Sequence, residues 1–88
     1  MLFGANAEAL EQLAETLRVE SDRIDQLRAD VTNEVFAAWW QGNDADSFRH
    51  DWESLHSSEL RRIVNDLSHN ATLLKQEAWR QREVSDSW

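Results

Sequence analysis

Gly42 divides the chain into two long stretches that contain neither glycine nor proline, one over residues 7–39 and one over residues 45–82. Glycine and proline are the residues that most disfavour the interior of a helix, so each stretch can run as one uninterrupted helix. The tripeptide Trp40-Gln41-Gly42 lies between the two stretches, and we place a turn at about 40–44. The sequence therefore predicts an all-α fold, an antiparallel helix-turn-helix hairpin.

The first stretch, which we predict to be a helix over about 7–39, repeats its apolar residues at steps of three and four. This spacing is typical of the apolar stripe of a coiled coil. Glu20 and Glu34 interrupt the stripe at positions where leucine is expected. Asn6 is a suitable N-cap, and Glu8 and Glu11 lie near the positive end of the helix dipole. The apolar positions are Leu10, Leu13, Leu17, Ile24, Leu27, Val31 and Ala38.

The second stretch, predicted as a helix over about 45–82 with a tail over 83–88, shows the same pattern with one irregular step. The step from Leu55 to Leu60 is five residues, so we expect a local shift of the stripe there. We expect Gly42 to take the left-handed conformation that ends the first helix, with Asn43 or Asp44 as the cap of the next. The apolar positions are Ala45, Phe48, Trp52, Leu55, Leu60, Ile63, Leu67, Ala71, Leu74 and Ala78.

Each helix has more apolar surface than one partner helix can cover, because Val35, Phe36, Val64 and Leu73 widen the two stripes. A chain of 88 residues is also near the lower limit for a self-sufficient core. We therefore predict that residues 1–88 form one domain that dimerises into a four-helix bundle through the leucine-rich stripes. The alternatives are a monomeric hairpin within a larger assembly and an isolated coiled-coil segment.

The composition argues against several classes of partner. The chain has 9 Lys and Arg against 17 Asp and Glu, a net charge of −8, which repels the phosphates of nucleic acids and anionic membrane surfaces. No window approaches the roughly 18 apolar residues that span a bilayer, so we expect no direct membrane insertion. There is no cysteine and no cluster of histidines, so we expect neither a metal site nor a cofactor.

One group of residues could be mistaken for a catalytic or metal-binding site. Asp46, His50 and Glu53 can share one face of a helix and imitate a carboxylate-supported base. Amphipathic helices of this composition produce such groups routinely, and a long hairpin offers no concave pocket that excludes water. Gly4 and Gly42 stand alone, so there is no glycine-rich loop for a phosphate. We predict that the chain is not an enzyme.

The short chain, the long helical stretches and the central Trp40-Gln41-Gly42 together resemble the WXG family of hundred-residue, ESAT-like proteins of type VII secretion. Members of that family often carry a Tyr-X-X-X-Asp/Glu export signal at the end of the second helix. Here Trp79-Arg80-Gln81-Arg82-Glu83 has the same spacing, with Trp79 in place of tyrosine and Glu83 as the acid.

Purely structural roles for the same residues remain open. Trp39, Trp40, Phe48 and Trp52 can form an aromatic plug that closes one end of the hairpin. Trp79 can be the end of the core stripe, and Glu83 a solvated charge paired with a neighbouring arginine.

The resemblance implies a small secreted substrate, or a co-secreted partner, that is exported as a folded dimer. The dimer would be a homodimer or a heterodimer with a second WXG-like protein. The turn of one subunit would lie near the tail of the other, and an FtsK/SpoIIIE-type secretion ATPase would recognise the two together. The N-terminus has neither a basic leader nor an apolar run of signal-peptide length, so we expect a route other than the general secretory one. A cytosolic helical adaptor or chaperone is the alternative function.

Overall fold

The structure is a computed structural model that describes residues 6–86, and these residues form two long helical arms that pack against each other. Helix α1 spans Ala7–Ala37, and residues 38–42 connect it to the second arm. The second arm consists of α2 (Asn43–Asp51), a π-helical turn (Trp52–Ser57) and α3 (Ser58–Asp86), which follow one another without a break. Residues 6–86 contain no strand. The Cα atoms extend over 68 × 16 × 14 Å, the shape of a single helical hairpin.

The ends of the helices differ in detail from the predicted ones. The Asn6 side chain caps α1, since its Oδ1 accepts hydrogen bonds from the backbone N–H groups of Glu8 at 2.9 Å and Ala9 at 3.3 Å. Helix α1 ends two residues earlier than expected, and the second arm begins two residues earlier. Because α3 extends to Asp86, Glu83 lies inside a helix rather than in a free tail. Residues 1–5, Ser87 and Trp88 lie outside the described residues.

Small side chains, rather than leucines, occupy the line of closest contact between the two arms. Ala14 and Ser21 of α1 are buried, as are Ala71 and Ala78 of α3, and the members of each pair are seven residues apart. We call this line the small-residue seam. Because alanine and serine project little beyond the backbone, they allow two helices to approach closely.

Two hydrogen bonds set the register of the small-residue seam. The Ser21 hydroxyl donates to the backbone oxygen of Val64 at 3.1 Å, and Nη1 of Arg28 donates to the Ser57 hydroxyl at 3.4 Å. A step of seven residues forward along α1 thus matches a step of seven backward along the second arm. This pattern is that of an antiparallel pair whose contacts repeat with the heptad.

The small-residue seam of α1 lies beside the predicted apolar stripe rather than within it. Two of the seven positions of that stripe, Leu13 and Leu27, are 48% and 60% exposed. In the second arm Phe48, Leu55 and Ile63 are likewise exposed. The other members of the predicted interface are half-buried beside the small-residue seam: Leu10, Leu17, Ile24, Val31, Trp52, Leu60, Leu67 and Leu74.

The π-helical turn accounts for the irregular step in the second arm. A π-helix bonds residue i to i+5 and so holds an extra residue per turn. The inward-facing positions step by five residues from Trp52 to Ser57, across this turn. The shift of the stripe that we expected between Leu55 and Leu60 is therefore centred slightly earlier in the chain. On the N-terminal side of the shift, Nε1 of Trp52 donates to the Thr32 hydroxyl at 2.8 Å.

The hairpin has one polar and one apolar broad face. Each residue of a helix is rotated by about 100° about the helix axis relative to the residue before it. Residues one and four positions after a seam residue of α1 therefore lie on one side of the seam. Residues one and four positions before it lie on the other side. The antiparallel second arm places its corresponding residues on the same two sides. On the first side, which we call the polar face, Nε of Arg82 donates to Oε1 of Glu11 at 2.7 Å.

The opposite side of the hairpin, which we call the apolar face, carries the large aliphatic side chains. Its exposed members are Leu13, Leu27 and Ile63. Its half-buried members are Leu10, Leu17, Ile24, Val31, Leu60, Leu67 and Leu74. A single hairpin therefore leaves one long, unpartnered hydrophobic surface.

Exposed residues along each helix form ion pairs with their neighbours. Arg18 lies 2.6 Å from Glu15 and 3.0 Å from Asp22, and Arg62 pairs with Glu59. The hydrogen bond from Arg18 lowers the pKa of the Glu15 carboxyl, and that from Arg62 lowers the pKa of Glu59. All of these groups are solvent-exposed, so the pairs contribute little to the free energy of unfolding.

Enlarging the small-residue seam should destabilise the hairpin. Ala14 has no exposed surface, and Ala14→Leu would force the arms apart or distort rotamers, at a cost of about 1–3 kcal/mol. Urea unfolding followed by circular dichroism at a fixed protein concentration measures the change. Ala9→Leu, at an exposed position of the same helix, is the matched control and should change the stability by less than about 0.5 kcal/mol. Equal stability of the two variants would contradict the assignment of the seam.

Candidate functional site

The connection between the arms is organised by Arg49, which reaches back from α2 to the end of α1. Its Nε donates to the backbone oxygen of Val35 at 3.1 Å, and its Nη2 donates to those of Ala38 at 3.1 Å and Trp40 at 3.0 Å. The last carbonyls of a helix have no intrahelical donor. Arg49 therefore supplies a donor to Val35 in the last turn of α1, and it places a cation at the negative end of the α1 dipole.

Our reading of the sequence did not single out Arg49. The available signal was indirect, because the last turn of α1 contains no basic residue and a cation was needed from elsewhere. Arg49 is the first basic residue after the connection.

Gly42 is required by the backbone at the start of the second arm. Its φ of 116° and ψ of 177° lie in a region that is essentially restricted to glycine. It is the N-cap of α2, and its carbonyl oxygen accepts from the N–H of Asp46 at 3.0 Å. Our expectation that Gly42 ends the first helix is wrong, since α1 is closed by Ala38 in an extended conformation. Asn43 is accordingly the first residue of α2 rather than its cap.

The aromatic residues near the connection are not gathered into one plug. The rings of Trp40 and Phe48 are 5.8 Å apart at an interplanar angle of 56°, a favourable tilted arrangement. Trp52 lies further along the arm, where it bonds to Thr32. Trp39 is 91% exposed. The tip of the hairpin thus displays one tryptophan that packs on a neighbour and one that faces solvent.

At the other end of the hairpin, the predicted export signal is accessible. Trp79 is 63% exposed although the preceding residue, Ala78, is buried in the seam. Its position one residue after Ala78 places Trp79 on the polar face, outside the core stripe. Glu83 is exposed, and none of the ion pairs that the structure gives for the described residues includes it.

Two shallow depressions flank the Trp79 ring. One, of about 430 Å³, is lined by Lys75, Gln76, Trp79 and Arg80. The other, of about 410 Å³, lies between the two arms and is lined by Glu11, Glu15, Lys75, Trp79 and Arg82. The side chain of Trp79 is therefore reachable from both sides.

The two predicted motifs are not brought together within one chain. The Trp40-Gln41-Gly42 segment lies in the connection, whereas Trp79 and Glu83 lie near the open end, beside the start of α1. The hairpin is 68 Å long, and the motifs are at its opposite ends. Any site that contains both must draw them from two molecules.

The described residues contain no group of three histidine, cysteine, aspartate or glutamate side chains that could hold a metal ion. Asp46, His50 and Glu53 of the second arm are each exposed. Within residues 6–86, neither arm includes a segment apolar and long enough to cross a membrane.

Comparisons of the chain with models of protein families, with curated proteins and with solved structures gave no match.

Replacing Gly42 should destabilise the hairpin through the backbone alone. A methyl group added at Gly42 meets no atom within 4 Å, so Gly42→Ala introduces no collision. We expect a loss of about 1–3 kcal/mol in the free energy of unfolding, because alanine must adopt a conformation that glycine tolerates. Urea unfolding checks the value, with Gln41→Ala in the same segment as a near-neutral control. A neutral Gly42→Ala would show that the connection adopts another conformation.

Replacing Arg49 tests the role of its planar guanidinium. Arg49→Lys keeps the positive charge but cannot reach three carbonyl oxygens at once. We expect a loss of about 1–2 kcal/mol, since some of these acceptors lose their partner. Arg61→Lys, at an exposed position of α3, should be close to neutral when thermal unfolding of both variants is compared. If the two variants melted alike, charge alone would explain the effect of Arg49.

Proposed function

We propose that this chain is a WXG-type substrate, or co-secreted partner, of a type VII secretion system and is exported as a folded dimer. The observation that carries the proposal is the exposed pair Trp79 and Glu83 on α3. Helical residues four apart share a face, so an aromatic ring and a carboxylate lie one turn apart on an ordered helix. The pair has the spacing of the family's export signal.

The location of this pair supports recognition of the folded protein. Ala78 anchors the helix in the small-residue seam, so the direction of the neighbouring Trp79 is set by the packing of the two arms. A receptor with an apolar pocket beside a cationic group would match the ring and the carboxylate. By the resemblance, this receptor is an FtsK/SpoIIIE-type ATPase.

The long hairpin makes a dimer part of the proposal. Trp40 and Gly42 lie at the opposite end from Trp79, so a composite signal needs a second hairpin that runs in the opposite direction. The apolar face is the available surface for this second hairpin, and two such hairpins make a four-helix bundle. The second subunit is another copy or a second WXG-like protein.

The apolar face also supports a second candidate function. A cytosolic helical adaptor or chaperone would use the same face to bind a partner helix. The two functions differ in their need for Trp79 and Glu83, because an adaptor that binds through the apolar face does not require residues on the polar face or at the outer surface.

Export in a bacterium that has a type VII system tests the proposal. Trp79→Ala and Glu83→Ala should each abolish the appearance of the protein in the culture medium, with helicity by circular dichroism unchanged because both side chains are exposed. Trp79→Tyr should restore export, since tyrosine is the aromatic residue of the family's signal.

The controls for this experiment are a variant elsewhere on α3 and a mutant host. Asn65→Ala, at an exposed position of α3 away from Trp79, should be exported normally, and the wild-type chain should stay inside a host without the secretion ATPase. Export of both the Trp79 and the Glu83 alanine variants would refute the signal. Export that does not depend on the ATPase would refute the pathway.

A further inference from the structure

We propose that the receptor that recognises Trp79 reads both arms of a single hairpin, by inserting an uncharged apolar side chain into the depression between α1 and α3. This inference rests on the proposed function and extends its recognition site from α3 to α1. The α1 residues that it adds are Glu11 and Glu15.

The depression between the arms is built from residues that are far apart in the sequence. It has a volume of about 410 Å³. Glu11 and Glu15 of α1 form one wall, and Lys75, Trp79 and Arg82 of α3 form the other. A group that enters this depression therefore contacts both arms at once.

The depression on the other side of the Trp79 ring belongs to α3 alone. It has a volume of about 430 Å³ and is lined by Lys75, Gln76, Trp79 and Arg80. A receptor that reads only the segment from Trp79 to Glu83 needs no more than this outer depression. The two depressions thus separate recognition of one helix from recognition of the packed hairpin.

The exposure of Trp79 decides between these two modes of recognition. The residue is 63% exposed. A tryptophan contributes most to binding where the partner shields it completely from water. A receptor that filled the outer depression alone would leave the side of the ring towards α1 in water. To shield the whole ring, the receptor must also fill the depression between the arms, and there it meets Glu11 and Glu15.

The charges around this depression are already matched. Nε of Arg82 donates to Oε1 of Glu11 at 2.7 Å, across the two arms. The hydrogen bond from Arg18 and, to a smaller extent, the positive charge of Lys75 lower the pKa of the Glu15 carboxyl. A charged side chain of the receptor would lose water and compete with these partners, whereas an uncharged one leaves them in place. The occupant is therefore uncharged.

The indole ring favours an apolar occupant. An aromatic side chain gains from offset or edge-to-face packing on such a ring, at centroid distances of about 4.5–7 Å. Lysine and arginine have apolar stems, so Lys75 and Arg82 add apolar surface beside Trp79. An aromatic or long aliphatic side chain of the receptor matches this surface.

Filling the depression from within the chain tests the inference. Glu15→Phe places a ring between the arms and leaves Trp79 and Glu83 unchanged. Secretion into the culture medium should fall at least tenfold, and the affinity of the purified secretion ATPase for the purified variant should fall by a similar factor. Because Glu15 is exposed, helicity by circular dichroism and the urea midpoint should match those of the wild type.

Two variants separate the shape of the depression from charge and from bulk. Glu15→Gln removes the same negative charge with little change in size and should be exported like the wild type. Gln12→Phe adds the same ring to α1 at an exposed position. Gln12 lies two residues before Ala14, so its side chain is rotated by about 200° from the seam, away from α3. This variant should also be exported like the wild type.

Three outcomes would overturn the inference. Normal export and binding of Glu15→Phe would show that the receptor does not enter the depression. Loss of export in Glu15→Gln would show that the receptor binds the carboxylate through a cation instead. A loss in Gln12→Phe as large as that in Glu15→Phe would show that added bulk anywhere on α1 blocks export.

Failure of the inference and failure of the proposed function give different results. If Trp79→Ala blocks export and Glu15→Phe does not, the receptor reads α3 alone and the proposed function stands. If Trp79→Ala and Glu83→Ala are themselves exported, the export signal is refuted and the inference falls with it.

Discussion

The close approach of α1 and α3 along the small-residue seam is the constraint on which the rest of the molecule depends. Alanine and serine at the line of contact bring the backbones together and leave little room for larger side chains between them. Leucine and isoleucine are therefore displaced to one side of the seam. This displacement creates the apolar face, and it places Trp79, next to the buried Ala78, on the opposite side.

The connection depends on a cation and a glycine that act on neighbouring parts of the backbone. Arg49 binds the carbonyl oxygens at the end of α1 and in the following segment, and Gly42 supplies the unusual conformation from which α2 starts. Neither interaction involves a tryptophan side chain, since Arg49 binds Trp40 only through its backbone oxygen. Trp40 is free to pack on Phe48, and Trp39 projects into solvent at the tip.

The spacing of glycine and of apolar residues predicts two long helices and a shift of the second stripe, which the structure places slightly earlier in the chain, and the residue type of Asn6 predicts the cap. The spacing did not predict which half of the leucine stripe faces the other arm. Leu10, Leu13 and Leu17 belong equally well to two heptad patterns, and only the buried Ala14 and Ala71 distinguish them. A hydrophobicity pattern gives alanine little weight, although its small size decides how near two helices can come. The role of Arg49 was not visible because its acceptors are backbone oxygens that lie far from it in the sequence.

The π-helical turn over Trp52–Ser57 lies between α2 and α3, and the inward-facing positions of these two helices follow different rotations about the helix axis. One added residue rotates everything on its N-terminal side by about 100° relative to α3. That rotation directs Arg49 towards the end of α1 while Ser57, Val64 and Ala71 keep their places along the long contact. The turn thus sets the rotation of α2 relative to α3. Substitutions in the connection, where the exposed Trp39 and Trp40 lie, therefore require no realignment of α1 and α3.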